Sequence, residues 1–171
     1  MPGWPTQLAP PARYWSSMAQ NIYFFGQNGL PDPAVWEVAL AGLKGDYTLE
    51  VEEREDAAPV YGEVLIGGED LIQFELYTNA QTAKGFDGES GQSIFEQEIE
   101  LAKTTRSGGD PEINAELNKT TELLVLAVAE TDRPDEQVAR ELEPFIDWLH
   151  ATSNGLRYVD GVGFFDATTR V

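Results

Sequence analysis

Apolar and polar positions along this chain follow two periods, one helical and one of two residues. Residues 21–25 (NIYFF) form a short apolar run closed by Gly26 and a polar loop, the pattern of a buried strand. Asp32 followed by Pro33 then marks a helix start. The carboxylate can accept from first-turn amides, and proline's missing N–H costs nothing at the first helical position. Trp36, Leu40 and Leu43 recur at i, i+4 and i+7, with Val35 and Ala39 beside them. This spacing predicts a helix over 32–44 with those three residues facing inward. Gly45 is the expected left-handed stop.

The period then drops to two. Tyr47, Leu49 and Val51 alternate with Thr48, Glu50 and Glu52, which marks a half-exposed strand. Residues 60–66 read as a second strand and 67–70 (GGED) as a hairpin loop. In 71–78, Ile72, Phe74 and Leu76 share one face, and Gln73, Glu75 and Tyr77 share the other. The three strands predict an antiparallel meander. After a polar, glycine-containing loop over 79–92, Ser93 and Glu96 fit a capping box, and Phe95, Ile99 and Ala102 give a helical stripe. The same stretch alternates with Glu96, Glu98 and Glu100, so 94–103 fits either element, and its propensities favour helix.

Asp110-Pro111 restarts a shorter helix carrying Ile113 and Leu117. Residues 123–129 are continuously apolar, as a central strand buried on both faces would be. A last helix opens at Asp132-Arg133-Pro134, with Val138, Leu142, Phe145 and Leu149 on its buried face. Pro144 is expected to kink or split it, and Asn154-Gly155 to end it. Residues 156–165 look like a terminal strand or hairpin.

The order β-α-β-β-β-α-β-α-β predicts an α+β fold. We expect two layers: a mixed, mostly antiparallel sheet of five to six strands with helices packed on it. Residues 21–171 would form a single domain. Residues 1–20, with Pro2, Pro5, Pro10 and Pro11 among Trp4, Tyr14 and Trp15, read as an extended N-terminal arm that packs on the body or on a partner. Small bacterial domains commonly show this element order.

Composition narrows the chemistry. With 42% apolar residues in 171, the chain has material for a core and is not an acidic disordered tail. Its 30 acidic and 11 basic residues give a net charge of −19. The basic residues are scattered, which argues against binding nucleic acid directly or an anionic membrane surface. Such a charge steers basic partners inward, or serves solubility alone. No apolar run reaches membrane-spanning length, and no basic-then-apolar leader is visible at the N-terminus. The absence of cysteine excludes disulfides and thiolate chemistry, and a cytoplasmic location is expected.

Asp147, His150 and Ser153 are the tempting catalytic set, at i, i+3 and i+6 near a helix end. Side chains on consecutive turns seldom converge on one substrate atom, and Gly-x-Ser-x-Gly is absent. A structural histidine facing the negative end of the helix dipole is the simpler reading. Glu50, Glu52, Glu53 and Glu55 form one carboxylate run, and Glu96, Glu98 and Glu100 another. Paired carboxylates can work as acid and base or hold a hard cation, but neither run has EF-hand spacing. Asp87-Gly88-Glu89-Ser90-Gly91 lies in the longest internal loop and matches no phosphate-binding motif.

The sequence therefore points to a non-enzymatic acidic domain, interaction or regulatory, that binds another protein, one with a basic surface if the acidity is functional. Candidate contacts are Trp4, Tyr14, Trp15, Glu50, Glu52, Asp87 and Glu89. No catalytic residue, cofactor or metal ligand is assigned, and a homo-oligomer stays open. The alternatives are a carboxylate-based hydrolase or divalent-cation enzyme, and an acidic immunity or inhibitor protein that mimics nucleic acid.

Overall fold

The computed structural model describes residues 20–43, 45–52, 60–78, 94–129 and 135–166. Among these, seven strands form one sheet: β1 (Gln20–Gly26), β2 (Tyr47–Glu52), β3 (Val60–Ile66), β4 (Glu69–Thr78), β5 (Glu122–Val128), β6 (Leu156–Val159) and β7 (Gly163–Phe165). The spatial order is β2-β3-β4-β5-β1-β6-β7. Four α-helices accompany it: α1 (Trp36–Ala41), α2 (Ile94–Leu101), α3 (Pro111–Leu117) and α4 (Asp135–Ser153). The α+β class read from the sequence holds. The sheet is wider than the expected five to six strands because the terminal segment is a true hairpin. Its pairings are all antiparallel rather than mixed.

Strand β5 lies fourth of seven, between β4 and β1, and Leu126 is fully buried. Its continuous apolar run is explained by cover on both faces. Ile22, Phe24, Ile72, Phe74, Leu124 and Leu126 point to one side, where Trp36 and Leu40 of α1 and Val138, Leu142, Phe145 and Leu149 of α4 pack on them. Tyr23, Phe25, Tyr77 and Leu123 point to the other, against Phe95 and Ala102 of the α2 region and Ile113 and Leu117 of α3. The expected two layers are therefore three, since helices lie on both faces. A two-residue alternation shows which residues share a face, but not that both faces are covered.

Local details follow the side chains. The Asp32 carboxylate accepts from Ala34 N at 2.9 Å and opens a 3-10 turn, Pro33–Val35, before α1. Helix α1 stops at Ala41, earlier than predicted, because Gly42 and Leu43 tighten into i→i+3 bonds to Ala39 and Leu40. Gly45 has φ +152° and makes the turn into β2 instead of capping the helix. Gly67 and Gly68, both at positive φ, make the two-residue turn between β3 and β4. Residues 94–101 are helix, and the i→i+5 bond from Ser107 N to Ala102 O widens the last turn over Ala102–Arg106. The Ser93 cap lies outside the described residues.

Helix α4 is not split by Pro144. A mid-helix proline costs about 3 kcal/mol. The buried row Val138, Leu142, Phe145, Ile146 and Leu149 runs on both sides of it and offsets that cost. The Tyr47 hydroxyl donates to the Glu141 carbonyl at 2.7 Å, one turn before the proline, and so anchors β2 to the helix.

Candidate functional site

Among the described residues, the helices pack unevenly on the sheet. On the α2–α3 face, the buried cluster draws its strand residues from β1, β4, β5, β6 and β7, and takes none from β2 or β3 among the described residues. Among the described residues, no β2 or β3 side chain that points to this face belongs to that helix-packed cluster, whereas Tyr77 of β4 does. Alternation and register decide which residues of the meander point there. Glu50 pairs with Glu63, and Glu63 with Gln73; Glu52 pairs with Tyr61, and Tyr61 with Glu75. Two polar rows thus cross three adjacent strands, which lie about 4.8 Å apart.

Between the rows run Val51, Gly62 and Phe74, whose side chains point to the opposite face. Their backbone floors a hollow of about 460 Å³ walled by Glu50, Glu52, Tyr61, Glu63, Gln73 and Glu75. Gly62 is required here. A Cβ on it would meet the Phe74 ring and the Glu50 carbonyl, each at 2.5 Å. The glycine lets Phe74 slide beneath the strand and stack on Trp36, with ring centroids 4.9 Å apart.

The electrostatics are one-sided. Strands β2, β3 and β4 carry Glu50, Glu52, Glu63, Glu69, Asp70 and Glu75 and no lysine, arginine or histidine. Glu50 and Glu63 stand directly opposite each other, a like-charge pairing that weakens a sheet. Glu75 is held in place by the Tyr77 hydroxyl, which donates to its Oε2. Burial, reinforced by Glu75, raises the Tyr77 pKa well above the usual phenol value, so it remains a donor. A basic group, Arg106, sits on the other half of this face. Arg106 lies 4.2 Å from the Tyr23 ring centroid and pairs with Glu98 at 2.9 Å.

Of the residues singled out from sequence, Glu50 and Glu52 fall within this face. The structure adds Glu63, Gln73 and Glu75; the shared face of Gln73 and Glu75 was legible in the alternation, but not that they and Glu63 lie beside Glu50. Trp4, Tyr14, Trp15, Glu53, Glu55, Asp87 and Glu89 lie outside the described residues. Glu96, Glu98 and Glu100 are on helix α2, where Glu98 pairs with Arg106 and Glu100 with Lys103.

The Asp147, His150 and Ser153 set does not assemble as a nucleophilic triad. The Ser153 hydroxyl donates to the His150 carbonyl at 3.0 Å, not to the ring. His150 is 2% exposed rather than an exposed cation at a helix end. Burial, then the nearby Arg157 charge, pushes its pKa down to about 4, so the ring is neutral at pH 7. The carbonyls of Gly155 and Phe165 lie near enough to oppose that shift, yet neither ring nitrogen makes a hydrogen bond of good geometry. The sequence reading missed Arg157, which is fully buried on β6 with its guanidinium 4.9 Å from the Phe165 ring centroid. Burial lowers its pKa to about 10, and Asp147 opposes that shift, so it stays charged. His150 and Arg157 are thus buried neighbours, with the half-buried Asp147 close enough to act on the Arg157 charge. The crevice of about 700 Å³ beside them is lined by His150, Asn154, Leu156, Asp166, Glu112 and Glu116.

Among the described residues, no group of three His, Cys, Asp or Glu side chains is placed to hold a metal ion, and no helix is long and apolar enough to cross a membrane. No protein-family model, curated protein or solved structure matches the chain.

Proposed function

We propose that this chain is an interaction domain that receives a basic surface of another protein on the acidic face of β2, β3 and β4. One observation carries the reading. Glu50, Glu52, Glu63 and Glu75 come from three strands to line a single hollow, and none of the four belongs to the helix-packed cluster among the described residues. Concentrated like charge on a rigid sheet raises the local concentration of basic groups and speeds their encounter.

The test is the association rate with a lysine-rich peptide between about 50 and 500 mM salt, where the Debye length shrinks roughly threefold. The rate for the native chain should fall tenfold or more. The variant E50Q/E52Q/E63Q/E75Q should start slower and respond far less to salt. A variant that tracks the native chain would move the binding surface elsewhere.

A further inference from the structure

We infer that the partner binds by strand addition, as an extended segment with basic residues at alternate positions paired along the outer edge of β2. The inference rests on the acidic-face reading and specifies how that face is approached.

Strand β2 is the first strand of the sheet order, so one side of its backbone has no neighbour among the described strands. The phase of the ladder shows which groups are unmatched. Gly67 N donates to Asp46 O at 2.9 Å, which makes Asp46 and Gly67 a hydrogen-bonded pair. Such pairs recur every second residue in an antiparallel ladder, and the residues between them turn N–H and C=O outward. With the register continuous from Tyr47–Ile66 to Glu52–Tyr61, Thr48, Glu50 and Glu52 bond to β3. Tyr47, Leu49 and Val51 therefore present their amides and carbonyls at the edge that no described strand pairs.

The other end of the sheet is less suited, because β7 has only three residues. Natural proteins blunt long edges because these recruit further strands. Here β2 offers three outward residues in a row and keeps Val51 38% exposed.

Charge chooses the occupant. A second copy of β2 would lengthen both polar rows with more glutamates, between molecules that each carry −19. Like charges opposed on one face destabilise the pairing. An added strand with lysine or arginine at every second position instead extends the rows beyond Glu50 and Glu52 with opposite charge. Its alternate side chains fall beside Leu49 and Val51 on the other face. A helical ligand cannot match this period of two.

The test uses two ten-residue peptides of equal composition, one alternating lysine and threonine, the other with the same residues in two blocks. The alternating peptide should bind the native chain at least tenfold more tightly. It should also slow amide exchange at Leu49 and Val51 tenfold or more. Val51→Pro removes an outward N–H without breaking a bond to β3 and should weaken that binding tenfold or more. If this variant misfolds, exchange at Leu49 and Val51 in the native chain decides. Equal binding of both peptides with unchanged exchange at these amides would overturn strand addition and leave the acidic-face reading intact. Failure of both peptides to bind would overturn the two together. Protection of Leu49 and Val51 by self-association without peptide would assign the edge to a second copy and overturn the inference.

Discussion

His150 is the chain's one histidine, so its titration can be read without interference from another imidazole. It is held neutral, with a pKa of about 4 against 6.5 for a free ring. The unfolded chain therefore binds a proton near pH 6.5 that the folded chain takes up only near pH 4. Between those values the unfolded state holds more protons, and stability falls as pH falls. The contribution is fully present above pH 6.5 and shrinks by about 1.4 kcal/mol per pH unit within the window. From pH 7 to pH 5 the loss is about 2 kcal/mol, roughly a 1 M drop in urea midpoint for a slope near 2 kcal/mol/M. His150→Gln removes this term while keeping a polar side chain in the site. The carboxylates titrate in both proteins and cancel in the difference. The assay is urea unfolding of both proteins at half-unit steps from pH 7 to 5, supported by the histidine ring proton resonances, which should not shift over that range. If the two midpoints move in parallel, or the ring titrates near pH 6.5, then His150 is not shielded from water and the buried cluster with Arg157 is wrongly described.

Two further outcomes test the core and the loop after β1. Trp36 is fully buried and donates from Nε1 to the Pro31 carbonyl at 2.9 Å, so Trp36→Ala should cost about 3–5 kcal/mol in chemical denaturation. A loss under 1 kcal/mol would mean that α1 is not part of the core. Glu122 Oε1 accepts from both Gly29 N and Leu30 N at 2.7 Å, so Glu122→Ala should cost about 1–3 kcal/mol and speed amide exchange at those two positions. Unchanged exchange there would show that the loop is held by something else.

Local pattern made most elements legible. Asp32-Pro33, the alternation from Tyr47, and Asp110-Pro111 each announce a start by chemistry confined to a few residues. What stayed hidden depends on contacts distant in sequence. The pairing of Ile22 with Leu126 sets the order of the sheet, and no local signal encodes it. The same holds for the site. Glu50 was visible as an outward residue, but its neighbours Glu63 and Gln73 follow only from register. Arg157 drew no notice within a short terminal strand. It is buried because β6 lies against β1 and faces Asp147 of α4, a placement its own segment does not reveal. The split that Pro144 allowed for does not occur for the converse reason, since tertiary burial outweighs a local helix breaker.

The central place of β5 also imposes a schedule on the chain as it is made. Strand β1 leaves the ribosome before both its neighbours, β5 and β6, which follow roughly 100 or more residues later. At about 5–20 residues per second, residues 21–25 wait roughly 5–20 s for a partner strand. The meander of β2, β3 and β4 needs no such delay, because its strands are sequence neighbours. Synthesis thus passes through a stage in which a finished acidic hairpin pair coexists with an unpaired, aromatic β1. In that interval the chain is most exposed to aggregation and has most use for a chaperone.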